Sequence, residues 1–105
     1  MDDKEFNAQA DKILTRIEAA LEASDAAIDF ELAAGGVLEI EFADGSKIVV
    51  NRHGAAREIW VAARGGGFHF RWDGLCWRDT RDGADLLEKL SALASQQAGE
   101  VVRLC

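Results

Sequence analysis

Between Val37 and Trp77 the chain alternates apolar and polar residues in short runs separated by glycine-bearing segments. A period of two places successive side chains on opposite sides of an extended backbone. The stretch therefore predicts an antiparallel sheet with one face buried. The runs are 37–42, 47–51, 58–62, 68–72 and a short piece near Trp77. Asp44-Gly45 joins the first two, a dipeptide suited to the positive φ of a tight hairpin. Leu38, Ile40, Phe42, Ile48, Val50, Ile59, Val61, Phe68, Phe70 and Trp72 fall on the prospective inner face. Glu39, Glu41, Lys47, Asn51, Glu58, Trp60, His69 and Arg71 fall on the outer one. Such a sheet needs a cover over its apolar side, and the two ends of the chain can supply it.

At the N-terminal end, Phe6, Ala10, Ile13, Leu14, Ile17 and Leu21 recur at steps of three and four, an apolar helical stripe. Asp2 or Asp3 can cap this helix, which runs to about Ala23. Ile28, Phe30 and Leu32 alternate with Asp29 and Glu31, so a strand follows, and Gly35-Gly36 turns the chain into the next. At the other end, Asp82-Gly83 leads into a helix from Ala84 to about Gln97. Its stripe is Leu86, Leu87, Leu90, Leu93 and Ala94, with Gly99 as its stop. The tail 101–104 is apolar enough to pack on the helices. Segment 53–57 reads as a loop, 64–67 as a flexible connection and Asp73-Gly74 as a turn. One domain spans 1–105: a two-layer α+β sandwich with both helices on one face of an antiparallel sheet.

Charge is distributed unevenly. Residues 1–31 hold nine acidic against three basic residues, so −6 of the net −7 lies in that third of the chain. A one-ended negative field repels nucleic-acid phosphates and anionic membranes and attracts cations and basic protein surfaces. No apolar run of about 18 residues is present, and the acidic start lacks the apolar core of a targeting segment. The expected location is cytoplasmic. Cys76 and Cys105 form no zinc or CxxC pattern and read as free thiols.

Asp11, Glu18, Glu22 and Asp25 follow steps of seven, four and three, a second stripe beside the apolar one. Like charges at such spacing repel by a few tenths of a kcal/mol. With Asp29 and Glu31 they would form one acidic ridge. A solvated face that resists aggregation accounts for such a ridge. So does a site for hard cations, whose oxygen ligands these side chains supply: iron, Mg²⁺, Ca²⁺ or Mn²⁺. Docking of a basic protein surface is a third account. His53 and His69 have no partner at metal-ligand spacing and read as surface residues. No serine sits in a nucleophile motif and no acid–base pair in a pocket, which argues against an enzyme. Trp60 faces outward, either as a binding hot spot or packed over neighbours such as Val49.

The residues become specific when taken together. Glu5-Phe6, Ala10-Asp11, Gly35-Gly36-Val37-Leu38, the run from Phe42 to Ile48, Val50-Asn51-Arg52, Ile59-Trp60-Val61-Ala62, Gly66 to Phe70, Trp77 and Gln96 to Glu100 resemble, in order and spacing, the bacterial frataxins. The resemblance covers essentially the whole chain. It implies a helix–sheet–helix sandwich and weak iron binding, as Fe²⁺ or Fe³⁺, on the first helix and first strand. The matching positions are Asp11, Glu18, Glu22, Asp25, Asp29 and Glu31. It also implies a monomer that regulates iron–sulfur cluster assembly, or donates iron to it, by contact with the cysteine desulfurase and the scaffold system. Glu18 and Glu22 on the ridge and Asn51 and Trp60 on the sheet would belong to the partner surface. Two departures stand out. Ala19, Ala23, Ala26 and Ala27 dilute the acidic run, and Ala55 and Glu58 replace the family's proline and glutamine before the tryptophan. A pure interaction module with incidental metal binding, and a ferroxidase, are the alternatives.

Overall fold

The computed structural model describes residues 1–104. Helix α1 (Asp3–Ala23) is followed by strands β1 (Ile28–Ala33), β2 (Val37–Phe42), β3 (Lys47–His53), β4 (Glu58–Ala63), β5 (Gly66–Trp72) and β6 (Trp77–Asp79), then helix α2 (Leu86–Ala98). The strands form one six-stranded meander in chain order, antiparallel throughout. Both helices cover the same face, so the α+β sandwich expected from the sequence is the fold observed.

The core follows the sequence periods. Phe6, Ala10, Leu14, Ile17 and Leu21 of α1 and Leu86, Leu87, Leu90, Leu93 and Ala94 of α2 are buried. They meet Leu38, Ile40, Phe42, Ile48, Val50, Ile59, Val61 and Phe70 of the sheet. Burying each large apolar side chain stabilises by about 1.5–3 kcal/mol. Val102 and Leu104 of the tail are buried too. The tail is tied to α2 because Val102 N donates to Ser95 Oγ at 2.8 Å and Leu104 N to Ser91 Oγ at 2.9 Å.

Helix α1 is capped by Asp2, whose side chain accepts from Glu5 N at 2.8 Å. Helix α2 starts at Leu86 rather than Ala84. Asp85 is its cap and takes the Leu87 and Glu88 amides, while Ala84 N is held by the Asp82 carboxylate instead. Gly99, at φ 71°, ends α2 as its composition suggests.

Three further expectations are corrected. His53 ends β3, paired with Glu58, and is not in the loop. The segment 64–67 is no flexible connection: Ala63 pairs with Gly66, and Arg64-Gly65 is a two-residue hairpin turn. Ladder bonds reach further than side-chain alternation shows. Leu32, which alternates with Asp29 and Glu31, is 50% exposed although Leu38, its partner in β2, is fully buried. Cys76 is a half-buried free thiol just before β6, as expected, whereas Cys105 lies outside the described residues.

Candidate functional site: the acidic ridge and the outer sheet face

The ridge begins on α1. Asp11, Glu18 and Glu22 lie beside the buried stripe, with Asp11 about 10 Å along the axis from Glu18. Asp11 and Glu22 are exposed and Glu18 is half-buried. Asp25 follows the C-cap Ser24 and is exposed. The last turn of α1 contains no basic residue, and Glu22 sits in it. A carboxylate at the negative end of a helix opposes the macrodipole, an unfavourable term of about 0.3–1 kcal/mol. Helix stability therefore does not account for this placement.

Asp29 and Glu31 lie on the outer side of β1, and the register sets them directly against two more carboxylates, Glu41 and Glu39. These face one another across a shallow depression that Lys47 also lines. Like charges directly opposed across strands destabilise a sheet. Alternation alone placed Glu39 and Glu41 on the outer face, but only the β1–β2 register joins them to the ridge.

The six sequence-predicted carboxylates differ in freedom. Asp11 is paired with Arg52 of β3, whose guanidinium also reaches Asn7 Oδ1 at 3.4 Å. Glu18, Glu22, Asp25, Asp29 and Glu31 have no basic partner among the described residues. No group of three or more His, Cys, Asp or Glu side chains among those residues converges closely enough to hold a metal ion. The ridge is thus an open row of carboxylates. Hydrated hard cations can meet it one or two ligands at a time, and a basic surface can meet it along its length.

The other candidate surface is on β3–β5. Trp60 is half-buried between two imidazoles: the His53 ring lies 3.9 Å away at 8° and the His69 ring 4.5 Å away at 9°. Trp60 thus packs against neighbouring strands, with His53 and His69 as partners rather than Val49. Beneath the stack lies Glu58, only 6% exposed. Its carboxylate accepts from Trp60 Nε1 at 2.8 Å and Arg71 Nε at 2.7 Å, with His69 Nδ1 at 3.6 Å. Burial pushes the Glu58 pKa up. The bonds from Trp60 and Arg71, with the Arg71 and His69 charges, outweigh burial and hold it below the ordinary carboxylate value. His53 Nδ1 accepts from Ala56 N at 3.2 Å, which orients its ring. Asn51 pairs with Trp60 in the ladder and is half-buried. In the sequence both histidines read as ordinary surface residues. They share strand parity with Trp60, but the β3–β4 and β4–β5 registers were needed to stack them.

No helix among the described residues is long and apolar enough to cross a membrane.

Comparison with known proteins bears directly on this architecture. The family model for the frataxin-like domain matches residues 1–100. The iron–sulfur cluster assembly protein CyaY of Dechloromonas aromatica is 75% identical over 104 residues, covering 99% of each chain. Its namesake in Cupriavidus metallidurans is 49% identical, over 99% of this chain and 96% of that one. Among solved structures, frataxin from Psychromonas ingrahamii superposes with a TM-score of 0.91 at 31% identity, covering 100% and 99% of the two chains. Trimeric frataxin from Saccharomyces cerevisiae, complexed with ferrous iron, has a TM-score of 0.68 at 24% identity over 91% of this chain and 87% of that one, and it shares the fold. This chain is a member of the frataxin-like family.

Proposed function

We propose that this protein is a non-enzymatic, iron-binding regulator of iron–sulfur cluster assembly. It acts as a cytoplasmic monomer that docks through its acidic ridge on a cysteine desulfurase and its scaffold system. The observation that carries this reading is the row of Glu18, Glu22, Asp25, Asp29 and Glu31. These carboxylates have no basic partner among the described residues; Glu22 is placed against the helix dipole, and Asp29 and Glu31 are placed against the cross-strand charge rule. The names of its relatives in Dechloromonas and Cupriavidus supply the pathway. The ridge holds Fe²⁺ or Fe³⁺ loosely, with water completing the coordination, and other divalent cations compete. Asp11 joins only when it releases Arg52. The stacked Trp60, with Asn51 beside it, presents a second contact area.

Reversing the charge of Glu18→Lys and Glu22→Lys together tests the docking role. Capture of the desulfurase should fall at least about tenfold, with the thermal midpoint little changed because Glu22 is exposed and Glu18, though half-buried, lies outside the core. Undiminished capture refutes the docking role. The open spacing of the carboxylates favours a second reading, in which docking is the function and metal binding is incidental. Iron-induced NMR line broadening confined to the ridge supports iron binding, and uniform weak broadening supports the docking-only reading. Measurable Fe²⁺ oxidation that vanishes with specific carboxylates would instead make the protein a ferroxidase.

A further inference from the structure

A second feature lies away from both surfaces. Between α1, the β5–β6 turn and the start of α2 is a cleft of about 210 Å³. Ile13, Trp72, Leu75 and Trp77 give it apolar walls, and Lys12 and Arg16 line it from α1. A cavity on the order of 150 Å³ accommodates a benzene ring, so one or two fused rings fit here.

Four observations point to the chemistry of an occupant. Lys12 and Arg16, one helical turn apart, have no acidic partner among the described residues, in a chain of net charge −7. Asp85 is the one carboxylate in the lining, and its Oδ2 accepts from the Leu87 and Glu88 amides at the positive end of α2. Trp77, which also lines the cleft, has a buried indole N–H without an acceptor. Leu75 at the rim is 86% exposed, yet it is fixed there: the Asp73 carboxylate accepts from Leu75 N at 2.8 Å and Cys76 N at 2.9 Å.

We propose that this cleft binds a small apolar anion, an aromatic carboxylate or sulfonate, with its rings between Trp72, Ile13 and Leu75 and its charge at Lys12 and Arg16. Binding is non-covalent. Burial raises the pKa of the Cys76 thiol in the wall and keeps it protonated, outweighing the nearby Arg78.

The test uses 2-naphthoate against its uncharged isostere 2-naphthamide, each titrated into the full chain by tryptophan fluorescence and ¹H–¹⁵N NMR. Naphthoate should saturate with a dissociation constant on the order of 1 mM or below. Its shifts should be confined to Ile13, Trp72, Leu75, Trp77 and Leu87. The amide should bind about tenfold more weakly, and Lys12→Gln with Arg16→Gln should abolish that preference. Both substitutions sit on exposed helix surface, so the fold survives to be measured. Equal binding of acid and amide, a preference that survives the double substitution, shifts centred elsewhere, or no saturation by about 10 mM would each overturn the assignment.

Discussion

Glu58 is the most informative residue to perturb, because one buried carboxylate fixes the orientation of Trp60 and Arg71. In Glu58→Gln the side-chain shape is kept and the charge removed. The bond from Trp60 Nε1 runs from a neutral donor to a charged acceptor in a site 6% exposed, and contributes about 1.5 kcal/mol. The Arg71 side chain is 69% exposed, so its pairing with Glu58 is screened and contributes about 0.5 kcal/mol. Glutamine still offers Trp60 an acceptor, though a weaker one, and gives Arg71 none of the charge it met. The expected loss is about 1 kcal/mol, or a thermal midpoint about 4–5 °C lower near pH 7. The pH dependence makes the test specific. The folded-state pKa lies below the ordinary 4.5, so the carboxylate's contribution is present above pH 4.5 and disappears as pH falls through the lowered value. Denaturant unfolding of both proteins at pH 7 and at the lowest pH where both stay folded should show a gap that narrows toward the acid end. Lowered carboxylates elsewhere, such as Asp44 and Asp73, titrate alike in both proteins and cancel. A gap of the same size at both pH values, or no gap at pH 7, refutes the assignment of Glu58 as the residue that holds the stack.

Other substitutions probe the scaffold around the two surfaces. Arg52→Ala removes the partner of Asp11; Mn²⁺ affinity by calorimetric titration should rise because one more ridge carboxylate is unpaired, at a stability cost of about 1 kcal/mol. Gln97→Ala strips a side chain 5% exposed that accepts from Arg64 N at 3.0 Å and donates to Ser46 Oγ and Lys47 O. Chemical denaturation should show about 2 kcal/mol of lost stability, since the Arg64 amide is left without its acceptor. Asp85→Ala uncaps α2 and should lower the thermal midpoint by about 4 °C, the effect of about 1 kcal/mol.

Much of the fold was legible because the signals that specify it are local. The two-residue period of 37–72 and the three- and four-residue steps of both helices name the buried face residue by residue, and nearly every side chain so named is in the core. Charge position was legible too: carboxylates beside the α1 stripe and at the outer positions of β1 are fixed by helix and strand geometry alone. Partnership was not legible, because it depends on which residue lies opposite which. Asp11 and Arg52 are 41 positions apart in sequence and meet only when α1 lies against β3. The stacking of His53, Trp60 and His69 needed two strand registers, and so did the burial of Glu58, whose composition reads as exposed. Glu39 and Glu41 joined the ridge through a third register. Sequence alone determined the sandwich and the side on which its negative charge collects, since periodicity and charge are properties of neighbours along the chain. Tertiary structure decided which charges are neutralised and which stay open to water, since ion pairing depends on distances of a few ångströms that only the packed fold sets.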